Sequence, residues 1–203
     1  MHYLWALKDN GIIDKAVVSF NIASLDMDDK PFALFGGVKG DQIVGGAEAM
    51  TSFPSYPNFL GTWALEGQSI HYDGKPIENT ARSLPAIIDT GTSQISIPPA
   101  QFSHLVETWN QVVPGGLDCE GDATFCTTRK QCTEIEGLLK PVGIQMSGIA
   151  YDINPSEYLF QSDQGKCFFI LNENKLGGKN KEIYIMGDAF LKHFYTAFDF
   201  DNN

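Results

Sequence analysis

The sequence lacks long apolar runs and clusters of positive charge. No apolar stretch approaches the roughly 18–20 residues that a membrane-spanning helix needs, so we expect no membrane span. Lysine and arginine total 14 against 25 aspartates and glutamates, which gives a formal net charge of -11. Because nucleic-acid binding depends on clustered positive charge, this balance argues against a nucleic-acid partner.

Cysteine is scarce, and its spacing is not that of a metal site. Cys119, Cys126, Cys132 and Cys167 include no Cys-x-x-Cys pair, and the four histidines are scattered. We therefore expect no metal and no other cofactor. An even number of cysteines in an acidic, β-rich chain favours two disulfides and an oxidising compartment. The alternative is a cytosolic protein with four buried free thiols.

Charged residues are also few, at 19%, whereas 43% of the 203 residues are hydrophobic. This balance supports a sizeable core and argues against disorder. The 20 glycines and 10 prolines indicate a turn-rich, mostly β chain of one large domain, or one domain with a small attachment. The opening residues Met1 to Trp5 are neither basic nor followed by a long apolar core. If the protein is secreted, we expect its targeting signal on sequence outside this chain.

Local patterns predict strands, a hairpin and one helix. Asp73-Gly74 lies between two strand-like runs and predicts a tight hairpin. Pro98-Pro99 opens an amphipathic pattern that predicts a helix over residues 99–112. Further strands are expected near residues 16–25, with Asp26 to Asp29 as a hairpin tip, and near 142–151, 157–161, 167–171, 182–186 and 194–199.

One motif carries chemistry, the run Ala86-Ile87-Ile88-Asp89-Thr90-Gly91-Thr92-Ser93. An apolar strand places Asp89 where a buried strand meets a cleft, and Gly91 lets the chain turn sharply there. A carboxylate in such a place is costly unless it is hydrogen-bonded or shares a proton with a partner. Two aspartates that share one proton use this arrangement, one as base on a water and the other as acid.

The segment from Ile87 to Ser93, followed by Pro98-Pro99 and an amphipathic helix, resembles the second active-site segment of pepsin-like aspartic proteases. Other segments resemble that family in the same order: residues 5–13, 61–74, 183–188 and 194–199, and the pair Cys132 and Cys167. The resemblance implies an all-β, pepsin-like acid protease fold with one or two short helices. It also implies that residues 1–15 are the tail of the N-terminal lobe. Residues 16–203 would then be the C-terminal lobe without its last strand.

The resemblance also assigns roles to single residues. Asp89 would be the second catalytic aspartate. Catalytic support is implied for Thr90, Gly91 and Thr92, and substrate binding for Ser93, Ile87, Ile185 and Thr62. Ile87 and Ile185 have a core role as an equal alternative, and Asp188 is interpreted as structural.

The resemblance further implies a disulfide between Cys132 and Cys167. Cys119 and Cys126 then form a second pair by parity of the remaining cysteines, without a counterpart in the family pattern.

The implied function is aspartic-type endopeptidase activity on peptides or unfolded proteins, in a lysosome, a vacuole or the extracellular space. A pepsin-like enzyme needs two aspartates from two lobes, and this chain has a single Asp-Thr-Gly. We therefore expect a missing N-terminal lobe as partner and little activity from the chain alone. Two alternatives remain: a homodimer that assembles two Asp89 loops, and a catalytically silent binding module.

Overall fold

The computed structural model describes residues 3–22, 30–56, 61–77, 83–119, 125–176 and 182–202. The helices in these ranges are α1 (Tyr3–Asp9), α2 (Pro99–Val112), α3 (Cys132–Ile135), α4 (Pro155–Tyr158) and α5 (Asp188–Leu191). The strands are β1 (Val17–Asn21), β2 (Phe32–Phe35), β3 (Ala64–Tyr72), β4 (Lys75–Pro76), β5 (Leu84–Ile88), β6 (Ile95–Ile97), β7 (Cys126–Thr128), β8 (Val142–Met146), β9 (Ile149–Ile153), β10 (Leu159–Gln161), β11 (Cys167–Phe169), β12 (Leu171–Glu173), β13 (Tyr184–Met186) and β14 (Thr196–Asp199).

The chain divides into two compact units, and the first comprises Met1–Ser55 with Phe190–Asn203. Its antiparallel sheet has the order β14-β1-β2. The Nζ of Lys8 on α1 donates a hydrogen bond to Oδ1 of Asp201 at 2.6 Å, and the main-chain N–H of Ala16 donates to Oδ2 at 3.0 Å. The two bonds to one carboxylate tie α1 and the start of β1 to the chain after β14.

The second unit, Tyr56–Ala189, contains the larger sheet. Its strands follow the order β12-β6-β13-β5-β3-β8-β9, with β4 paired to β3. The pairs β13–β5 and β12–β6 are parallel, and the others are antiparallel. A smaller antiparallel sheet has the order β10-β11-β7. The prediction of an all-β fold is confirmed, and the described residues contain five α-helices, four of them of seven residues or fewer, where one or two were expected.

Helix α2 begins with Pro99 in its first turn, and its end at Val112 agrees with the prediction. Proline suits this position because the first helical N–H groups have no partner within the helix. The buried face includes Phe102, Leu105 and Trp109. The Trp109 ring lies 4.7 Å from that of Phe169, measured between centroids, so the helix covers an aromatic core.

The two hairpins of the larger sheet test two of the predictions. Asp73 and Gly74 have φ values of 54° and 72°, and they join β3 to β4 as predicted. The predicted strand segment near 142–151 contains two strands, β8 and β9, because Ser147 and Gly148 reverse the chain with φ values of 47° and 83°. Strand β1 covers part of the predicted segment 16–25, and the predicted hairpin tip at 26–29 lies outside the described residues.

Candidate active site

The candidate site begins where β5 ends. Leu84 and Ala86 are buried, whereas Asp89, the first residue after the strand, is half-buried. The main-chain N–H of Asp89 donates to the carbonyl oxygen of Met186 at 3.0 Å, which extends the parallel pairing of β5 with β13 by one residue. Asp89 therefore leaves the sheet at the carboxyl ends of two parallel strands.

The carboxylate of Asp89 is held by two donors from its own loop. The main-chain N–H of Gly91 donates to Oδ1 at 2.9 Å, and the Thr92 hydroxyl donates to Oδ2 at 2.7 Å. Each carboxylate oxygen accepts one of these bonds, so the loop fixes the orientation of the carboxyl group. The structure thus brings together three predicted site residues: Asp89, Gly91 and Thr92.

Main-chain hydrogen bonds from the segment after β13 hold the loop that carries Asp89 on its other side. The N–H of Gly187 donates to the carbonyl oxygen of Gln94 at 3.0 Å, and that of Asp188 donates to the carbonyl oxygen of Thr92 at 2.7 Å. A Cβ atom at Gly187 would overlap the carbonyl oxygens of both Thr92 and Gln94. Only glycine permits so close an approach of two backbones.

The sequence did not predict that the carbonyl oxygens of Ser93 and Gln94 accept hydrogen bonds from the segment after β13. Ser93 is exposed, but its carbonyl oxygen accepts a hydrogen bond from the N–H of Ala189 at 3.0 Å. Main-chain acceptors of this kind leave no signal in the residue type. Among the sequence observations, the resemblance of residues 183–188 to the family pattern was the one that concerned this segment.

Asp188 is the second carboxyl group near the site and is half-buried. Burial raises the pKa of Asp188 above its ordinary value, and the negative charge of Asp89 raises it further. The two carboxyl groups therefore interact electrostatically across the fastened loop. This interaction adds an electrostatic effect of Asp188 to the structural role predicted for it.

Two of the predicted substrate-binding residues are neighbours on the sheet. Ile87 and Ile185 are register partners in the parallel pair β5–β13, so their side chains lie on the same face. Both are half-buried, whereas Tyr184 and Met186 on the opposite face of β13 are fully buried. An apolar pair that stays partly open beside Asp89 can contact an apolar ligand.

The remaining predicted site residues lie at the surface. Thr90 is exposed on the Asp89 loop. Thr62 is exposed too, and it precedes Trp63, whose carbonyl oxygen accepts a hydrogen bond from the N–H of Ile88 at 2.8 Å. Thr62 therefore lies beside the end of β5, one residue from the chain that pairs with it.

The structure contains two disulfides around the smaller sheet. Cys132 bonds to Cys167 at 1.99 Å, and Cys119 bonds to Cys126 at 2.03 Å. Cys126 lies on β7 and Cys167 on the neighbouring strand β11, and both are buried. The disulfides thus join two adjacent strands of one sheet to other parts of the chain: β7 to Cys119, and β11 to helix α3.

The described ranges contain neither a cluster of metal-ligating side chains nor a membrane-spanning helix. Within them, no group of three or more His, Cys, Asp or Glu side chains is placed to hold a metal ion. None of the helices that the structure describes is long and apolar enough to cross a membrane.

Comparison with known proteins defines the family. The family model for eukaryotic aspartyl protease matches residues 2–203, so the chain belongs to that family. Pepsin A of Sus scrofa is 26% identical over 98% of this chain and 46% of its own length. Cathepsin E-B of Xenopus laevis is 26% identical over 82% of this chain and 40% of its own length, and pepsin-3 of Oryctolagus cuniculus is 25% identical over 96% and 46%. The chain therefore spans less than half the length of these relatives. The identification as a pepsin-like aspartic protease is confirmed at the level of family.

Proposed function

We propose that this chain is the C-terminal lobe of an aspartic endopeptidase and supplies the second of two catalytic aspartates, Asp89. The observation that carries the proposal is the carboxylate of Asp89, held at the strand end by the Gly91 N–H and the Thr92 hydroxyl. In this assignment residues 1–15 are the tail of the N-terminal lobe, and residues 16–203 form the C-terminal lobe. The relatives' greater length supports a second lobe as partner.

The proposed reaction is hydrolysis of a peptide bond by a water activated between two carboxyl groups. One carboxyl group is ionised and removes a proton from the water. The other is protonated and donates its proton to the substrate carbonyl. Because a single carboxyl group cannot be base and acid in the same step, Asp89 needs an aspartate from the other lobe. We therefore propose that the chain alone is inactive or nearly so.

The neighbouring residues take positioning and binding roles. Thr92 and Gly91 orient the Asp89 carboxylate, and Thr90 joins the contact between the two active-site loops. Substrate binding is assigned to Ser93, Ile87, Ile185 and Thr62. The apolar pair Ile87 and Ile185 supports a preference for peptides with apolar residues beside the scissile bond, because burial of apolar surface is favourable.

The proposed location is the secretory pathway or its destinations: the lysosome, the vacuole or the extracellular space. Two disulfides that include all four cysteines support an oxidising compartment, because cytosolic thiols are kept reduced.

A peptidase assay at about pH 4 on an unfolded protein tests this proposal. The chain is assayed alone and mixed with the N-terminal lobe of a pepsin-like relative, each with an Asp89→Ala control. The half-enzyme assignment predicts cleavage only in the mixture, with loss of activity in the control.

Two other outcomes would favour the alternatives. Cleavage by the chain alone that Asp89→Ala abolishes would support a homodimer of Asp89 loops. A mixed complex that forms but cleaves nothing would support a silent binding module.

A further inference from the structure

Strand β9 lies at one end of the larger sheet. It pairs with β8 on one side, and no strand in the described ranges pairs with its other side. Ile149, Ala150 and Asp152 on this strand are exposed. An edge strand with open main-chain groups can accept a further strand.

The β8–β9 hairpin determines which main-chain groups face the open side. The two turn residues Ser147 and Gly148 have positive φ, so Met146 and Ile149 form the hydrogen-bonded pair that closes the turn. Antiparallel strands alternate between bonded and non-bonded pairs. Ala150 and Asp152 therefore direct their N–H and C=O groups away from β8, towards the open edge.

The single charged side chain of β9 does not project from that edge. A Cβ atom at Gly143, the register partner of Asp152, would lie 2.6 Å from Oδ1 of Asp152 and 3.4 Å from Cβ of His71. The carboxylate is thus folded back over β8 in the space that glycine leaves empty. Sheet edges are commonly protected by lysine, proline or a bulge. Strand β9 has neither residue, and its register with β8 is regular.

We propose that β9 pairs antiparallel with β9 of a second copy of this chain. With the two-fold axis at Tyr151, Ala150 of one copy pairs with Asp152 of the other. By symmetry, Asp152 of the first copy pairs with Ala150 of the second. Both residues present outward N–H and C=O groups, so the two pairs form four hydrogen bonds. Alanine lies opposite aspartate in each pair, and no two like charges are directly opposite. The interface is isologous, as a two-fold dimer requires.

A second copy fits this edge because one register satisfies all the outward groups of both strands. The interface is small, so we expect weak and concentration-dependent association. The net charge of -11 opposes self-association at neutral pH. Dimerisation should strengthen towards about pH 4, where carboxylates begin to be neutralised. This pairing does not involve the Asp89 loop and does not depend on the proposed catalytic function.

Sedimentation equilibrium of the purified protein over a concentration series, at about pH 4.5 and about pH 7, tests the proposal. Ala150→Pro removes an outward N–H from each copy but no hydrogen bond to β8, since proline is tolerated where the N–H faces outward. We expect its dimer to be at least about tenfold weaker than the wild-type dimer. Ala150→Thr retains the N–H and serves as the matched control, with dimerisation close to wild type. A monomeric wild-type protein, or equal dimerisation of wild type and Ala150→Pro, would overturn the proposal.

A cysteine cross-link tests the register itself. Residues at position 151 of the two copies form a non-bonded pair with Cα atoms about 4.5 Å apart, a distance that a disulfide spans. Tyr151→Cys should therefore give a covalent dimer on mild oxidation. Ile149→Cys should not, because in this register Ile149 lies opposite Ile153 of the second copy. Equal cross-linking of both variants, or of neither, contradicts the proposed pairing.

Discussion

The main-chain N–H of Asp188 lies 2.7 Å from the carbonyl oxygen of Thr92 and donates a hydrogen bond to it. The same threonine donates its hydroxyl to the Asp89 carboxylate. One residue therefore links the chain after β13 to the proposed catalytic group. The position of Asp89 thus depends on a chain segment about 100 residues away in sequence as well as on its own loop.

The hydroxyl of Thr92 should matter for activity more than for folding. Thr92→Val keeps the shape of the side chain but removes the donor to Asp89. A hydrogen bond to a charged group is worth about 1.5–3 kcal/mol, so we expect kcat/KM of the proposed two-lobed enzyme to fall about ten- to hundredfold. Thr92→Ser keeps the hydroxyl and should retain most activity. Equal activity of the valine variant and the wild type would show that this bond is not needed.

Gly187 should be required for stability. In Gly187→Ala the new Cβ overlaps two carbonyl oxygens, which belong to the backbone and cannot rotate away. We expect a loss of about 3 kcal/mol in the free energy of unfolding, measured by urea denaturation. Gly137→Ala is the matched control, because its Cβ would meet no atom within 4 Å. A Gly187→Ala protein as stable as this control would contradict the close approach.

Asp188 should make stability depend on pH. Burial, and then the charge of Asp89, raise the pKa of Asp188 in the folded state, so folding penalises its charged form. The protonated carboxyl group is therefore the form that favours folding. Its stabilising effect is fully present below the unfolded-state pKa, near 3.8, and is lost as pH rises through the folded-state pKa. Asparagine carries no charge. Asp188→Asn should thus be more stable than wild type at about pH 7, and this difference should vanish at about pH 3.

The measurement is the free energy of unfolding in urea at several pH values, for wild type and variant. Asp163→Asn replaces an exposed carboxylate between β10 and β11 and serves as control. A pH-independent difference for Asp188→Asn would contradict the electrostatic explanation.

The two disulfides should contribute unequally to stability. They join cysteines 35 and 7 residues apart. In the chain-entropy model, the disulfide that closes the longer loop contributes more to stability, about 4 kcal/mol against about 2 kcal/mol for the shorter loop. Replacing Cys132 and Cys167 together with serine should therefore lower the free energy of unfolding more than the same replacement of Cys119 and Cys126. The opposite order in urea denaturation would indicate that native-state strain outweighs loop entropy.

Local sequence patterns were sufficient for several features. The apolar run before Asp89, the proline at the start of α2 and the Asp73-Gly74 turn each act through neighbouring residues, so their structures could be predicted. The Ser147-Gly148 reversal was missed because apolar residues continue on both sides of it. Helix α1 was missed because its seven residues are too few for a clear periodic pattern.

The sequence by itself thus determined where Asp89 lies along the chain, because an apolar strand followed by Asp-Thr-Gly is a local pattern. Tertiary structure alone decided what surrounds that carboxylate. The parallel pairing of β5 with β13 joins residues far apart in sequence, and the contacts of Gly187 with Thr92 and Gln94 run through main-chain atoms. Such contacts depend on how distant strands align, and main-chain groups are the same in nearly every residue, so the sequence does not display them.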